Sequence, residues 1–370
     1  MSLDVLRKEI DAIDKQLCDL IEKRMDCSLK VAEIKRAENL PIYHPEREKQ
    51  ILDKVEATSE EMGQYIRNIY QSIMSNSRAL QASVLNSDTD FSETIAAIPS
   101  FAEYGRIVCQ GAEGAFSHAA AKDMFPNGEL EFHNDFEDVF KMVAEDESAV
   151  GILPVENSTA GYVTNVYDLM LKYGHWIVKA TALDVSQNLM SCGSTEEIKT
   201  VYSHPHALKQ CSNFINEHNL KAVEFENTAL AAKYVAELND PTVAAIGSSV
   251  ASKLYNLPIV QSAIQNESNN VTRFIAIAKK PFIDDDSNKV SLALEIPHEK
   301  GSLYSMLGRF ADAGLNLTKI ESRPAGHDFE YRFYIDFTGS VKDPKVQKLL
   351  SSLGKELSYF VFLGNYVDKL

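Results

Sequence analysis

The sequence predicts a multidomain chain in three parts: an all-α, dimeric N-terminal bundle, an α/β region, and a C-terminal α+β domain of ferredoxin-like order. Three observations carry this. Residues 1–40 contain neither glycine nor proline. From Arg106, short apolar runs alternate with helical stretches. From residue 288 the pattern reads strand, helix, strand, strand, helix, strand, the ferredoxin-like arrangement. A length of 370 residues suits two or three domains, each with its own core. The parts are expected at 1–88, 105–281 and 288–370, with a linker at 89–104.

In the first part, Leu3, Leu6, Ile10, Ile13, Leu17, Leu20, Val31 and Ile34 recur at steps of three and four over much of the run, the seam of one long amphipathic helix. Pro41 ends it. His44-Pro45-Glu46-Arg47-Glu48 opens a second helix, with proline in the first turn and acids at the positive end of the dipole. A third helix spans about Gln64 to Leu85. Three helices of unequal length leave a bundle incomplete, so dimerisation is expected. Residues 86–104 lose periodicity and read as linker.

The middle part carries strand-like runs at Ile107–Cys109, Val150–Leu153, Thr200–Tyr202 and Val243–Ile246. Helices are expected near 115–124, 135–145, 161–173, 205–218 and 227–238. That alternation implies a mostly parallel sheet with sites at the carboxyl ends of its strands. The last part reads Val290–Ile296, Ser302–Ala313, Leu317–Ser322, Tyr331–Thr338, Pro344–Leu357 and Phe360–Val367.

With 37 basic against 53 acidic residues, the net charge is −16, which argues against nucleic acid and anionic membrane as partners. No stretch approaches the ~20 apolar residues of a membrane span. The opening Met1-Ser2-Leu3-Asp4 lacks the layout of a signal peptide. Cys18, Cys27, Cys109, Cys192 and Cys211 are scattered without a C-x-x-C pair, which suits core or surface thiols in a reducing cytoplasm. His204 and His206 have no third ligand at a helpful spacing, so no metal or other cofactor is expected.

Arg24 and Lys35 interrupt the apolar seam, ~16 Å apart along one helical face. Ser77 and Gln81 interrupt the stripe of the third helix in the same way. Buried cations need compensation. Either neighbouring acids and snorkelling stems supply it, or a small anion sits between them. Arg7 lies ~25 Å from Arg24 and is rotated by ~100°, so it joins the same site only from a second copy of the chain.

The stretches Leu6-Arg7-Lys8-Glu9-Ile10-Asp11, Lys23-Arg24, Lys30-Val31-Ala32-Glu33-Ile34-Lys35 and Pro45-Glu46-Arg47-Glu48 resemble the all-helical class of chorismate mutase. The resemblance implies that Arg7, Arg24, Lys35, Arg47, Glu48, Ser77 and Gln81 contact the substrate. Arg7 of a second copy and Arg24 would hold its two carboxylates. Lys35 and Gln81 would flank the ether oxygen, and Glu48 would accept the ring hydroxyl. His44 stands where relatives often carry Asp; it either contacts substrate or caps the second helix.

In the α/β region, Gly111-Ala112-Glu113-Gly114-Ala115-Phe116-Ser117 lies between a strand and a helix. It lacks the lysine of a nucleotide-binding loop. Pro154-Val155-Glu156-Asn157-Ser158-Thr159-Ala160-Gly161 gathers a carboxylate, an amide and hydroxyls at a strand end, as a turn and cap or as a ligand site. Asn269-Asn270-Val271-Thr272-Arg273-Phe274 opens the last strand. Together these segments resemble prephenate dehydratase, whose two-lobed fold is similar to periplasmic binding proteins. The resemblance implies loss of carbon dioxide and the ring hydroxyl from prephenate. Thr272 would donate to the departing hydroxyl, Arg273 would bind a carboxylate, and Glu156, Asn157, Ser158, Thr159 and Phe274 would line the cleft.

Gly301-Ser302-Leu303-Tyr304 and Glu321-Ser322-Arg323-Pro324 resemble the motifs of ACT regulatory domains. The resemblance implies phenylalanine bound as effector by Gly301, Ser302, Leu303, Glu321, Ser322, Arg323 and Pro324 where two such domains meet. Tyr304 departs from the smaller aliphatic residue common there. Without an effector, the same fold would serve as a dimerisation module. The three resemblances share one order, that of the bifunctional chorismate mutase–prephenate dehydratases. Expected partners are chorismate and prephenate, phenylalanine as effector, and further copies of the chain in a homodimer or tetramer. The rival is a non-catalytic amino-acid sensor with a helical dimerisation arm.

Overall fold

The computed structural model describes residues 2–38, 40–85, 95–100, 104–159, 161–267, 269–298, 300–325 and 331–369. Of the expected linker, residues 89–94 and 101–103 lie outside them, as does Ala160. The chain forms two compact units, Met1–Ile98 with Lys289–Phe362, and Pro99–Asn288 with Leu363–Leu370.

The first unit opens with α1 (Leu3–Glu38), α2 (Pro45–Glu56) and α3 (Gly63–Leu85). Asp4 sits in the first turn of α1 and Lys35 and Arg36 in its last, matching the dipole at both ends. Ser28 and Ala32 are its buried residues. Leu3, Leu6, Ile10, Ile13, Leu17, Leu20 and Ile34 are all exposed along it. A seam of that length has no partner within one copy of the described chain.

The second unit begins with β1 (Arg106–Gln110), β2 (Glu129–His133), β3 (Ala149–Asn157), β4 (Gly161–Tyr162) and β5 (Trp176–Asp184). The chain then crosses to a second sheet of β6 (Asn188–Met190), β7 (Thr200–Ser203), β8 (Lys221–Glu224), β9 (Val243–Gly247) and β10 (Ile259–Gln261), and returns as β11 (Val271–Ala278). The first sheet runs β5–β11–β3–β1–β2, and the second β10–β6–β9–β7–β8. Parallel pairs β1·β2, β1·β3, β7·β8 and β7·β9 agree with the expected alternation. The expectation of a mostly parallel sheet needs correcting at β11, which is antiparallel to both β3 and β5. It re-enters from the second lobe at the edge where β3 and β5 end, so it must run against them. The helix expected over 205–218 breaks at Cys211, whose buried side chain joins the core of Leu189, Val201, Leu208 and Ile246.

Each lobe has its own core. In the first, Ile107, Cys109, Val150, Ile152, Phe274 and Ala276 pack against Ala120, Ala121 and Met124 of the helix Phe116–Met124. The first unit is completed by β12 (Lys289–Glu295), the helix Ser302–Asp312, β13 (Asn316–Pro324), β14 (Tyr331–Thr338), the helix Pro344–Glu356 and the start of β15 (Phe360–Asp368). Their order is the strand–helix–strand–strand–helix–strand expected. β14 lies antiparallel between β12 and β13, leaving β13 at the sheet edge. Both helices of this segment contact α3, so the α+β segment folds onto the N-terminal helices within one unit.

Candidate functional site

Between α1 and α3, Ser28 Oγ and Ser77 Oγ lie 2.6 Å apart, and Gln81 Nε2 is 3.4 Å from Ser77 Oγ. All three residues are buried. One η-nitrogen of Arg24 and Gln81 Oε1 are buried without a hydrogen-bond partner among the described residues. These are polar atoms that a ligand would satisfy, because an unmatched buried group costs about 1–3 kcal/mol. Neighbouring acids therefore do not account for Arg24. Lys35 Nζ donates to Ile42 O at 2.5 Å. Burial holds its ammonium below the usual lysine range, with Glu48 acting in the opposite direction. Glu48 in turn pairs with Arg78.

Of the predicted residues, Arg24, Lys35, Glu48, Ser77 and Gln81 are thus buried or half-buried in this helical layer. Arg7, His44 and Arg47 are exposed. Arg7 lies at the far end of α1, 3.6 Å from Asp4. His44 occupies the position before α2 without a capping side-chain bond, and its carbonyl accepts from Glu48 N at 3.1 Å. Sequence reasoning missed Ser28 and Arg78. Ser28 was legible, four residues from Arg24 on the same seam. Arg78 had no such signal, since only the fold brings it to Glu48.

In the second unit, β1 and β3 are parallel, so the 111–117 loop and Glu156–Thr159 emerge at one edge of the sheet, where β11 begins. The register sets Thr272 opposite Asn157 and Arg273 opposite Glu156. Asn157 Nδ2 donates to Thr272 Oγ1 at 2.8 Å and to Asn270 Oδ1 at 2.7 Å. Its Oδ1 accepts from the backbone and hydroxyl of Thr159 at 3.1 and 2.7 Å. Ser158 Oγ bridges Asn269 O and Val271 N at 2.8 and 2.9 Å. This cross-strand lattice ties Thr272 and the start of β11 to the end of β3.

Adjacent strand residues face opposite sides of a sheet, so Arg273 does not project with Thr272. Its guanidinium is buried against Tyr366 Oη at 2.8 Å and Asp368 Oδ2 at 3.1 Å. The expected hold on a substrate carboxylate therefore meets a cation already engaged by a carboxylate of the chain itself. Phe274, expected in the cleft, packs in the core of the first lobe instead. Glu156 shares the Arg273 face by register and is half-buried.

The second lobe reaches the 111–117 loop through Ser248 Oγ, which donates to Gly114 O at 2.7 Å, and Tyr255 Oη, which donates to Glu113 O at 2.9 Å. Gly114 has φ +92°, and a Cβ there would meet the Ala251 backbone at 3.3 Å, so the contact needs glycine. Its N–H donates to His118 Nδ1 at 3.0 Å, and burial keeps that imidazole below the usual histidine range.

In the C-terminal segment, register places Ser322–Pro324 beside Tyr331–Phe333 and these beside Leu294–Glu295. Both motifs therefore lie toward one end of the sheet. Gly301 adopts φ +86° before the helix Ser302–Asp312, a conformation glycine takes without strain. Leu303 and Tyr304 are exposed. Arg323 Nε donates to Glu321 Oε1 at 2.8 Å, and Lys319 Nζ lies 3.1 Å from Glu321 Oε2. A cavity of about 970 Å³ is lined by residues of α2, α3 and the 296–312 segment, including Glu48, Gln71, Arg78, Gly301, Ser302 and Arg309.

No cluster of metal-ligating side chains occurs among the described residues. All five cysteines are free, and burial pushes the thiols of Cys109 and Cys211 up to about 12. No described helix is long and apolar enough to cross a membrane.

Residues 6–82 match the family model described as chorismate mutase type II, and residues 107–282 that described as prephenate dehydratase. The chain is 31% identical over 373 residues to a bifunctional chorismate mutase/prephenate dehydratase of Aquifex aeolicus, covering 100% of this chain and 98% of that one. It is 39% identical over 263 residues to a prephenate dehydratase of Methanocaldococcus jannaschii, covering 69% of this chain and 95% of that one. The crystal structure of a prephenate dehydratase from Arthrobacter aurescens in complex with L-Phe aligns with a TM-score of 0.63 at 27% identity. That alignment covers 71% of this chain and 89% of the other.

Proposed function

This chain belongs to the bifunctional chorismate mutase/prephenate dehydratase family, and from that premise we propose how its residues divide the work. It rearranges chorismate to prephenate, then decarboxylates and dehydrates prephenate to phenylpyruvate. The observation that carries this is the pair of family matches, in order, on a chain that aligns with 98% of a bifunctional relative. A non-catalytic sensor does not fit that membership.

The mutase step is a unimolecular rearrangement: the ether C–O bond breaks as a C–C bond forms, with no proton transferred. Holding the compact conformer and stabilising charge on the ether oxygen suffice. Arg24 and Arg7 of a second copy hold the two carboxylates, and the exposed α1 seam supplies the dimer contact. Lys35 and Gln81 flank the ether oxygen. Rotating the Gln81 amide by half a turn places Oε1 on the Ser77 hydroxyl and aims the Nε2 donor at the unpartnered side. Glu48 accepts the ring hydroxyl. Arg47 and His44 lie at the rim.

In the dehydratase step, the bond to the ring carboxylate breaks, its electron pair completes the aromatic ring, and the ring hydroxyl leaves. One proton from solvent converts that hydroxide to water. Thr272 is too weak an acid to be the proton source, but it donates a hydrogen bond as charge develops. Because Asn157 donates to Thr272 Oγ1, the threonine's own proton points to the ligand. Glu156, Ser158 and Thr159 shape the strand end, and Arg273 anchors β11 from the opposite face.

The C-terminal segment is an ACT domain that pairs through the β13 edge with a second copy. Phenylalanine binds there as inhibitor, near Gly301–Leu303 and Glu321–Pro324. The Arthrobacter relative's complex with L-Phe supports that choice of effector. Free thiols suit a cytoplasmic enzyme. The test is to give purified chain chorismate, then follow its loss and the rise of phenylpyruvate, with and without phenylalanine. Consumption without phenylpyruvate, or no consumption, contradicts the assignment.

A further inference from the structure

Glu48 interacts with two cations. Arg78 is in direct contact with it, with side chains only 18% and 20% exposed for Arg78 and Glu48. The other is Lys35, whose charge Glu48 supports. Arg78 is itself held by a further contact. Its guanidinium lies over the Tyr43 ring, 5.2 Å from the centroid. Across the same cavity stands Arg309 of the helix Ser302–Asp312, held by Ser352 and by Glu356 at 2.7 Å.

We propose that Arg78 is the positioning residue of the mutase site, holding the Glu48 carboxylate by one oxygen and away from Lys35. The proposal rests on the reading of Glu48 as the group that accepts the substrate's ring hydroxyl. A carboxylate bound by one oxygen presents the other in a fixed direction. Without Arg78 it rotates freely and closes on Lys35, neutralising the cation needed at the ether oxygen. One arginine thereby protects two groups. Since Arg78 also lines a cavity walled by the C-terminal segment, that segment contributes to the electrostatics of the mutase carboxylate.

The test is a double-mutant cycle on mutase kcat and KM with the full chain: Glu48→Gln, Arg78→Gln, and both together, with Arg78→Lys as the conservative variant. A displacement of about 1 Å in a positioned group costs on the order of 10²-fold. Arg78→Gln is therefore expected to lower mutase kcat by about that factor, with a smaller change in KM. Arg78→Lys is expected to recover most of the loss. The double variant is expected to be no worse than Glu48→Gln alone, since Arg78 acts only through that carboxylate. Losses that multiply in the double variant overturn the proposal, as does an Arg78→Gln chain as active as the parent. Should Arg78→Gln not fold, the Lys variant carries the test: mutase kcat as low as in Glu48→Gln overturns the proposal. Glu48→Gln with parental mutase activity removes the underlying reading, and the proposal with it. A crippled Glu48→Gln beside an intact Arg78→Gln removes the proposal alone.

Discussion

Asn157 and Thr272 stand opposite each other in the antiparallel β3–β11 pair and share a hydrogen bond of 2.8 Å, with Asn157 as donor. That direction matters more than the distance. It commits the threonine oxygen as acceptor, which in the proposed mechanism leaves its proton for the substrate. Asn157→Leu keeps the approximate volume while removing the donor. We expect a fall in dehydratase kcat of about 10²-fold, the scale for losing one group that organises a transition-state donor, with mutase unchanged. Unaltered phenylpyruvate production from prephenate would contradict the role given to this pair.

Arg24→Ala or Lys35→Ala should abolish prephenate formation and spare the dehydratase when prephenate is supplied directly. Equal loss of both activities in either variant counts against separate sites.

Lys35 also sets a pH dependence. Burial lowers its folded-state pKa below the ordinary 10.5. Mutase kcat should therefore fall as pH rises through that lowered value, earlier than an ordinary lysine would dictate. The stability contribution has the opposite sign. Between the folded and unfolded pKa values only the unfolded chain keeps the proton, so stability from this group rises with pH. Parallel kcat and denaturation profiles, compared with Lys35→Met, separate the two. An alkaline limb that persists unchanged in the residual activity of Lys35→Met assigns it elsewhere.

The proposed sharing of the mutase site between two copies predicts complementation. Arg7→Ala and Arg24→Ala chains, each inactive as a mutase, should regain about a quarter of parental activity after mixing, unfolding and refolding. Half of the random dimers are mixed, and one of the two sites in each is intact. No recovery, despite mixed dimers detected by mass, places Arg7 outside the site.

Asp368 and Arg273 form a pair with side chains only 3% and 7% exposed. Removing one partner of such a pair leaves a buried charge, at a cost of about 3–5 kcal/mol. Asp368→Ala should therefore destabilise the dehydratase unit by that order in chemical denaturation. Adding Arg273→Met should restore much of the loss. A stable Asp368→Ala single variant would show that the pair does not anchor β11.

Much of this architecture was legible in the chain. The α1 seam is a matter of period, so the cations that interrupt it stand out before any fold is known. The βαββαβ order of the last part is likewise local. Strand direction is not. Nothing in the run Val271–Ala278 says that it returns from a second lobe and runs against its neighbours. The three- and four-residue strands β6, β8 and β10 are too short to show alternation. Pairings made only by the fold were invisible: Asn157 with Thr272, Glu48 with Arg78, and Arg273 with Asp368 near the far end of the chain. Arg273 shows the cost, since its type suggested a ligand while its surroundings supply an internal carboxylate. Phe274 shares the parity of Thr272, but two residues further along β11 that face belongs to the core with Ala120, Ala121 and Met124.

Chorismate given to the Thr272→Val chain tests the two-site account most directly. Prephenate should accumulate at the parental rate while phenylpyruvate stays at the level of a protein-free control. Phenylpyruvate formed at anything near the parental rate, or chorismate left unconsumed by a folded variant, contradicts it.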